Sequence, residues 1–265
     1  PGVQVKFNGY YSMTVDGTLI AVGTGANRIV FTSNSGTPAR SDWGWIAINA
    51  SGSTFDYVSF LYGDTALWVT GASISVDHAI VEHTYQGFYM TTVTGTISNS
   101  AFDDNTVYGL YLSDSSMDII NLEVSNTGYP IYLVNHVSGD VSDSVLTDNA
   151  GPCVTLVNSS PEISENTFTN CQYGIYASAG SDPQITDNEF DENNYGVYIT
   201  GTSPTSDPVI TNNSFLDNEY YDVAADGQPG IVIDAENNWW GTTDPLEIMH
   251  GILDVADGDV AEVDW

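Results

Sequence analysis

Basic residues are nearly missing from this chain. Lys6, Arg28 and Arg40 are the only Lys and Arg, against 35 Asp and Glu in 265 residues, so the net charge is −32. Such a surface repels phosphate and anionic lipid, which makes nucleic acid and membrane surfaces poor partners. No apolar run reaches membrane-spanning length, and no apolar stripe of helical period lasts ten residues. Membrane helices and helical domains are therefore not expected. Cysteine is scarce, with only Cys153 and Cys171. The four histidines, His78, His83, His136 and His250, show no metal-ligand spacing, and His78 and His83 read as a surface pair. A Ser/His/Asp grouping, a phosphate loop and a Cys/His cluster are all missing from the pattern.

What is present is a repeat. Ile163-Ser-Glu-Asn-Thr-Phe168 with Tyr173-Gly-Ile-Tyr176 returns as Ile185-Thr-Asp-Asn-Glu-Phe190 with Tyr195-Gly-Val-Tyr198, 22 residues later. Apolar pairs five apart carry the phase in both directions: Phe55/Phe60, Val76/Val81, Ile97/Phe102, Ile119/Val124, Val141/Leu146, Ile163/Phe168, Ile185/Phe190 and Ile210/Phe215. A fixed period of this size marks a solenoid, in which each unit buries its apolar side against its neighbours. Short alternating runs rich in Val, Ile, Tyr and Thr, broken by Asn, Asp and Gly, are strands and turns. Stacked at the spacing of hydrogen-bonded strands, roughly 4.8 Å, they make an all-β single-stranded parallel β-helix.

The unit Ile-Thr-x-Asn-x-Phe-x-x-Asn-x-Tyr-Gly-Val-Tyr-Ile resembles the right-handed parallel β-helix repeat of the pectate-lyase-like superfamily, nearest to the carbohydrate-binding and sugar-hydrolase type of microbial surface proteins. The ending Asn237-Asn-Trp-Trp-Gly241 with Pro245 also looks like the closing signature of such domains. The resemblance covers about residues 29–240. It implies a right-handed fold but not an activity, since this scaffold hosts lyases, hydrolases, adhesins and inert stalks.

The expected layout is a single β-helix domain over 1–265. Residues 1–28 read as N-terminal cap strands, 29–54 as an irregular first coil, 55–230 as regular coils and 231–265 as a closing segment. The closing segment holds a short capping helix, with Asp244 at the N-cap, Pro245 at its first position and Gly251 at its end, then a final strand at 258–264. The chain starts at Pro1 without a leader pattern and stops in a strand-like alternation, as a processed or excised piece of a longer protein would. Cys153 and Cys171 fall at different offsets in neighbouring coils, which argues against a disulfide and for two buried small apolar residues.

Stacking turns offsets into columns. Apolar residues at two alternate offsets face inward, and the residue between them faces out: Trp68, Tyr89, Tyr111, Tyr132, Val154, Tyr176 and Tyr198. A second aromatic column is Tyr108, Tyr129, Tyr173, Tyr195 and Tyr220. The aromatic file Trp68, Tyr89, Tyr111, Tyr132, Tyr176 and Tyr198 is the candidate binding or assembly face. Asn166, Asn188 and Asn213, and also Asn105, Asn149, Asn193 and Asn218, read as structural amide ladders. Asp143, Glu165 and Asp187 stack in consecutive coils, where repulsion is relieved by hydration or by a hard cation with oxygen ligands; calcium fits.

All three cationic side chains precede Phe55, so nothing basic faces the aromatic strip, and the sequence leans away from an enzyme. It reads as a non-catalytic extracellular or cell-surface module, acidic in the halophilic manner, that self-associates as a homo-oligomer, layer, stalk or filament. The alternative is a carbohydrate-binding or adhesive module with a polysaccharide as partner; a polysaccharide lyase or hydrolase ranks third.

Overall fold

The structure, a computed structural model, describes residues 2–201, 204–227, 230–254 and 261–265. The chain divides into two compact units, Pro1–Tyr132 and Leu133–Trp265.

In the first unit every circuit contributes one strand to each of three parallel sheets. The first sheet runs through Gln4–Phe7, Ile29–Ser33, Val58–Leu61, Ile80–Glu82, Ala101–Asp103 and Glu123–Ser125. The second contains Met13–Val15, Trp43–Ile48, Gly63–Thr70, Gln86–Thr91 and Tyr108–Ser113; the third contains Ile20–Val22, Ser53–Asp56, Ser73–Asp77, Thr94–Ser98 and Ser116–Ile120. Residues 1–28 do more than cover the first coil: their three strands pair in parallel with Ile29–Ser33, Trp43–Ile48 and Ser53–Asp56 and form a rung of their own. The sequence gives this rung no phase, because a longer connection, 34–42, and a register shift between Trp45 and Ile46 separate it from the regular coils.

The second unit repeats the plan. Thr167–Thr169, Glu189–Asp191 and Ser214–Leu216 pair in register, as do Tyr173–Ser178, Tyr195–Thr200 and Tyr221–Asp226. Ile163, Ile185 and Ile210 stack in the third sheet. The closing helix is Pro245–His250, with the Asp244 carboxylate accepting from the Leu246 amide (2.9 Å) and Ile248 buried. The final strand is Glu262–Asp264; of the rest of the expected 258–264, Ala261 is buried just before the strand and 258–260 lie outside the described residues.

Two sequence features hold the circuits. The first is the corner. Between third and first sheets one residue per circuit turns into the left-handed region: Tyr57, His78, Asn99 and Asn121 in the first unit, Asp143, Glu165, Asp187, Asn212 and Asn237 in the second. This conformation costs most residues roughly 1–2 kcal/mol but suits Asn and Asp, whose short polar side chains bond locally. That preference explains the polar columns. The second feature, confined to circuits of the second unit, is the buried amide that follows the corner at Asn166, Asn188 and Asn213. Asn188 donates from Nδ2 to the carbonyls of Ile163 (2.8 Å) and Thr186 (2.9 Å), and to Oδ1 of Asn213 (3.0 Å). Its own Oδ1 accepts from the Asn166 amide group and backbone N–H, both at 3.0 Å. The ladder thus adds buried donors to carbonyls of the strands that lead into the corner, where Thr186 also accepts from the Glu165 backbone N–H at 3.3 Å.

Inside, Phe168, Phe190 and Phe215 stack at centroid spacings of 5.0 and 4.9 Å. The Phe190 ring lies over Gly174, where a Cβ would come within 2.5 Å of it and 2.6 Å of the Gly196 carbonyl. The recurrent Tyr-Gly pair is therefore a space requirement of the core.

The cysteines depart from expectation. Cys153 and Cys171 form a disulfide, with Cα atoms 5.9 Å apart. Val154 also does not face out: Val154 pairs with Ile175 and Thr155 with Tyr176, so Thr155 holds the outward position. One cause explains both. Asp148 stays level with Asn170 through a 2.7 Å side-chain bond while Pro152 is level with Tyr173, so Asp148–Pro152 carries one more residue than the next coil. That insertion shifts Cys153 by one position and brings it beside the corner occupied by Cys171. Fixed-offset counting misses it.

The second unit also contains a carboxyl out of its ordinary range. Burial lifts Asp222 to about 6 from 3.8, opposed by a hydrogen bond from the Asn218 amide at 2.8 Å. The folded chain therefore keeps this proton where the unfolded chain has lost it, so stability falls as pH rises from about 4 to about 6 and stays lower above that. The effect is on the order of 2 kcal/mol. Asp222→Asn keeps an oxygen for Asn218 and is expected to stabilise the chain by about 1–2 kcal/mol at pH 7.5 but not at pH 4. Paired urea titrations at the two pH values, in molar salt, measure the difference.

Candidate functional site

The outward residues of the second sheet form the expected aromatic file. In the first unit Tyr89 pairs with Trp68 and Tyr111 in strand register, and the Tyr89 and Tyr111 rings stack at 4.3 Å and 2°. Tyr111 stacks on Tyr132 at 5.7 Å and 11°, with Tyr108 and Tyr129 packed against their edges. In the second unit Tyr176 and Tyr198 stack at 5.7 Å and 8°, flanked by Tyr173 and Tyr195. Each of these rings gives at least one face to a neighbouring ring. Burial raises the pKa of Tyr111 to about 12, helped by a hydrogen bond with Tyr89 and by the surrounding tyrosines. Tyr198 is raised too, by burial and then by its hydrogen bond to Asp226.

The file ends differently at its N-terminal side. Trp68 is 40% exposed and tilts against Trp45 with centroids 5.9 Å apart. The two indoles, with Ala47, Asn49 and Thr70, line a shallow hollow of about 240 Å³.

A second constellation lies at the corner between third and first sheets, where the sequence suggested only surface histidines. Asp56 and Asp77 are register partners at the ends of adjacent strands. The next residue, His78, points Nδ1 at both: 3.3 Å to Oδ1 of Asp56 and 3.1 Å to Oδ2 of Asp77. Its ring stacks on Tyr57 at 4.1 Å and 10°. Arg28 reaches across from the connection before Ile29, giving its donors to the Val58 and His78 carbonyls and the Ser59 hydroxyl. A cleft of about 320 Å³ opens beside it, lined by Arg28, His78, Asn99, Asn121 and Glu123 among others. At the opposite edge of the first sheet the pattern recurs in simpler form: His83 stacks on Tyr62, and Asp104 binds both His83 (2.7 Å) and Arg40. Position in the two corner columns was the available signal, since residues 78 and 83 bracket the strand Ile80–Glu82.

Asp143, Glu165 and Asp187 occupy exposed corners in the second unit, at φ 55°, 59° and 57°. Glu165 and Asp187 border an open groove of about 600 Å³ with Asn212, Asn237 and Trp239. Among the described residues, the group whose ligand atoms all approach within 4.8 Å is instead Asp56, Asp77 and His78.

A family model described as "Right handed beta helix region" matches residues 44–179 and again 86–239. No curated protein shows a significant match. Among solved structures, the chain is similar to the A-module of mannuronan C-5 epimerase AlgE4 from Azotobacter vinelandii (13% identity, TM-score 0.40, covering 100% of this chain and 89% of that one). It is also similar to the catalytic domain of a GH87 alpha-1,3-glucanase (12%, TM-score 0.45, 99% and 65%). A third is tailspike protein 3 of bacteriophage CBA120 (12%, TM-score 0.29, 99% and 54%). At these values the likenesses carry no inference about activity.

Proposed function

The chain belongs to the family of right-handed β-helix regions, and from that premise we propose that it is a non-catalytic structural module of an extracellular surface assembly. The observation that carries this reading is how the reactive side chains are used. Arg28 and Arg40 are bound to backbone carbonyls, a hydroxyl and Asp104; His78 and His83 face carboxylates. The stacked tyrosines likewise serve ring-to-ring contacts, each worth roughly 0.5–1.5 kcal/mol beyond burial. Such a surface supports a scaffold that meets further copies through hydroxyl-rich edges once salt screens its charge.

Sedimentation velocity and negative-stain microscopy from low to molar salt test the reading. Ordered higher-order species are expected at high salt and dispersal at low salt, and Tyr129→Glu with Tyr220→Glu, both exposed tyrosines, should weaken assembly. Strict monomers across the series would sink it.

One observation favours a second reading, contact with a neutral glycan: the Trp45–Trp68 hollow offers indole faces with Asn49 and Thr70 at the rim. Quenching of tryptophan fluorescence by neutral oligosaccharides, lost in Trp68→Ala, would support it.

A further inference from the structure

We propose that Asp56, Asp77 and His78 form a binding site for one divalent transition-metal ion of the zinc class, independent of any assembly role. Three ligand atoms converge from two adjacent rungs: His78 Nδ1, Asp56 Oδ1 and Asp77 Oδ2, with the imidazole nitrogen 3.3 and 3.1 Å from the two oxygens. Around an ion bound at about 2.0–2.2 Å, neighbouring ligand atoms in tetrahedral or octahedral arrangement sit roughly 3.0–3.5 Å apart. Both nitrogen–oxygen separations already fall in that interval, and the two carboxylate oxygens lie within 4.8 Å of each other, so closure of the carboxylates about the ion completes the site.

The orientation of each ligand is set from outside the trio. The second oxygen of Asp77, Oδ1, accepts from the Asn99 amide (2.8 Å) and the Ser98 hydroxyl (2.9 Å), both on the following rung. Those bonds fix the carboxylate plane and leave Oδ2 for the ion, as the outer partners of metal ligands do. The Tyr57 ring fixes the imidazole plane by stacking. Arg28 occupies the same corner, where its Nε and Nη2 donate to the Ser59 hydroxyl and to the Val58 and His78 carbonyls rather than to the trio.

The donor set selects the metal. One imidazole nitrogen with two carboxylate oxygens suits zinc, cobalt or manganese, whereas calcium seeks six to eight oxygens. Three protein ligands leave at least one position of the ion for water. The competing arrangement is a metal-free one, with the His78 Nδ1–H shared between the two aspartates.

The test uses the full chain, stripped with a chelator and titrated with Zn²⁺ by calorimetry, and with Co²⁺ by visible absorption. One site per chain is expected, standing above the diffuse weak uptake of the acidic surface. His78→Asn removes the nitrogen while keeping a residue that already occupies this corner column at Asn99 and Asn121, so the fold is retained; circular dichroism checks this. His78→Asn and Asp77→Asn are each expected to weaken Zn²⁺ binding by at least about 100-fold and to abolish the cobalt absorption band, while Asp143→Asn changes neither. Absence of a distinct site, or a site that survives His78→Asn unchanged, overturns the proposal in favour of the metal-free hydrogen-bonded cluster.

Discussion

Asn188→Ala is expected to lower the unfolding free energy of the second unit by about 3–5 kcal/mol. The truncation deletes three donated hydrogen bonds, to the carbonyls of Ile163 and Thr186 and to Asn213. It also removes the oxygen that receives Asn166. Asn188 is 2% exposed, so water cannot enter to replace these partners, and each abandoned buried polar group costs about 1–3 kcal/mol. Asn188→Asp separates amide from shape: it preserves volume but cannot donate, and it adds a buried charge, so its loss should equal or exceed that of alanine. Urea denaturation followed by circular dichroism gives both values. A loss near 1 kcal/mol for alanine, the value for an exposed polar residue, would mean that the ladder is incidental.

The ladder also shows why the fold was so legible. A repeat that stacks like on like reports its backbone through composition: Asn and Asp recur at residues such as Asn99, Asn121, Asp143 and Asp187 because the left-handed corner needs them. Inward aliphatics, buried asparagines and outward tyrosines follow from counting along the period. Counting fails where an added residue goes unseen: the extra one between Phe102 and Tyr111 is betrayed by the tyrosine, whereas the next has no such marker. The insertion within Asp148–Pro152 moved Thr155 into the outward file and joined two cysteines that offsets held apart. Before Phe55 the phase is hidden, so the rung formed by residues 1–28 read as a cap.

The histidine corner was illegible for a different reason. Of its parts only Arg28 comes from before the point where the phase begins; Asp56, Asp77 and His78 lie within the regular coils. No local spacing joins them. The repeat sets Asp56 and Asp77 at one offset, directly after Phe55 and Val76, but that His78 turns its Nδ1 back towards both carboxylates becomes readable only in the structure. The same limit applies to the tyrosines: their shared file was visible, but not that Tyr89 and Tyr111 would close face to face at 4.3 Å and withdraw those faces from a ligand.

Phe190→Ala tests the interior as Asn188→Ala tests the corner. The ring is fully buried, stacked between Phe168 and Phe215, and loses contact with both on truncation. A loss of about 3–5 kcal/mol is expected, and about 1–1.5 kcal/mol for Phe190→Leu, which keeps most of the volume. The space cannot be refilled from Gly174, because an alanine methyl there would also lie 2.6 Å from the Gly196 carbonyl. Gly174→Ala should therefore fail to rescue Phe190→Ala. In a solenoid stability is close to a sum of coil terms and nearest-neighbour interfaces, so this one lesion weakens both interfaces that Phe190 bridges. Hydrogen exchange should show the amides of Thr167–Thr169, Glu189–Asp191 and Ser214–Leu216 accelerating together. Acceleration confined to Glu189–Asp191 alone would mean that the stacked rings do not couple successive coils.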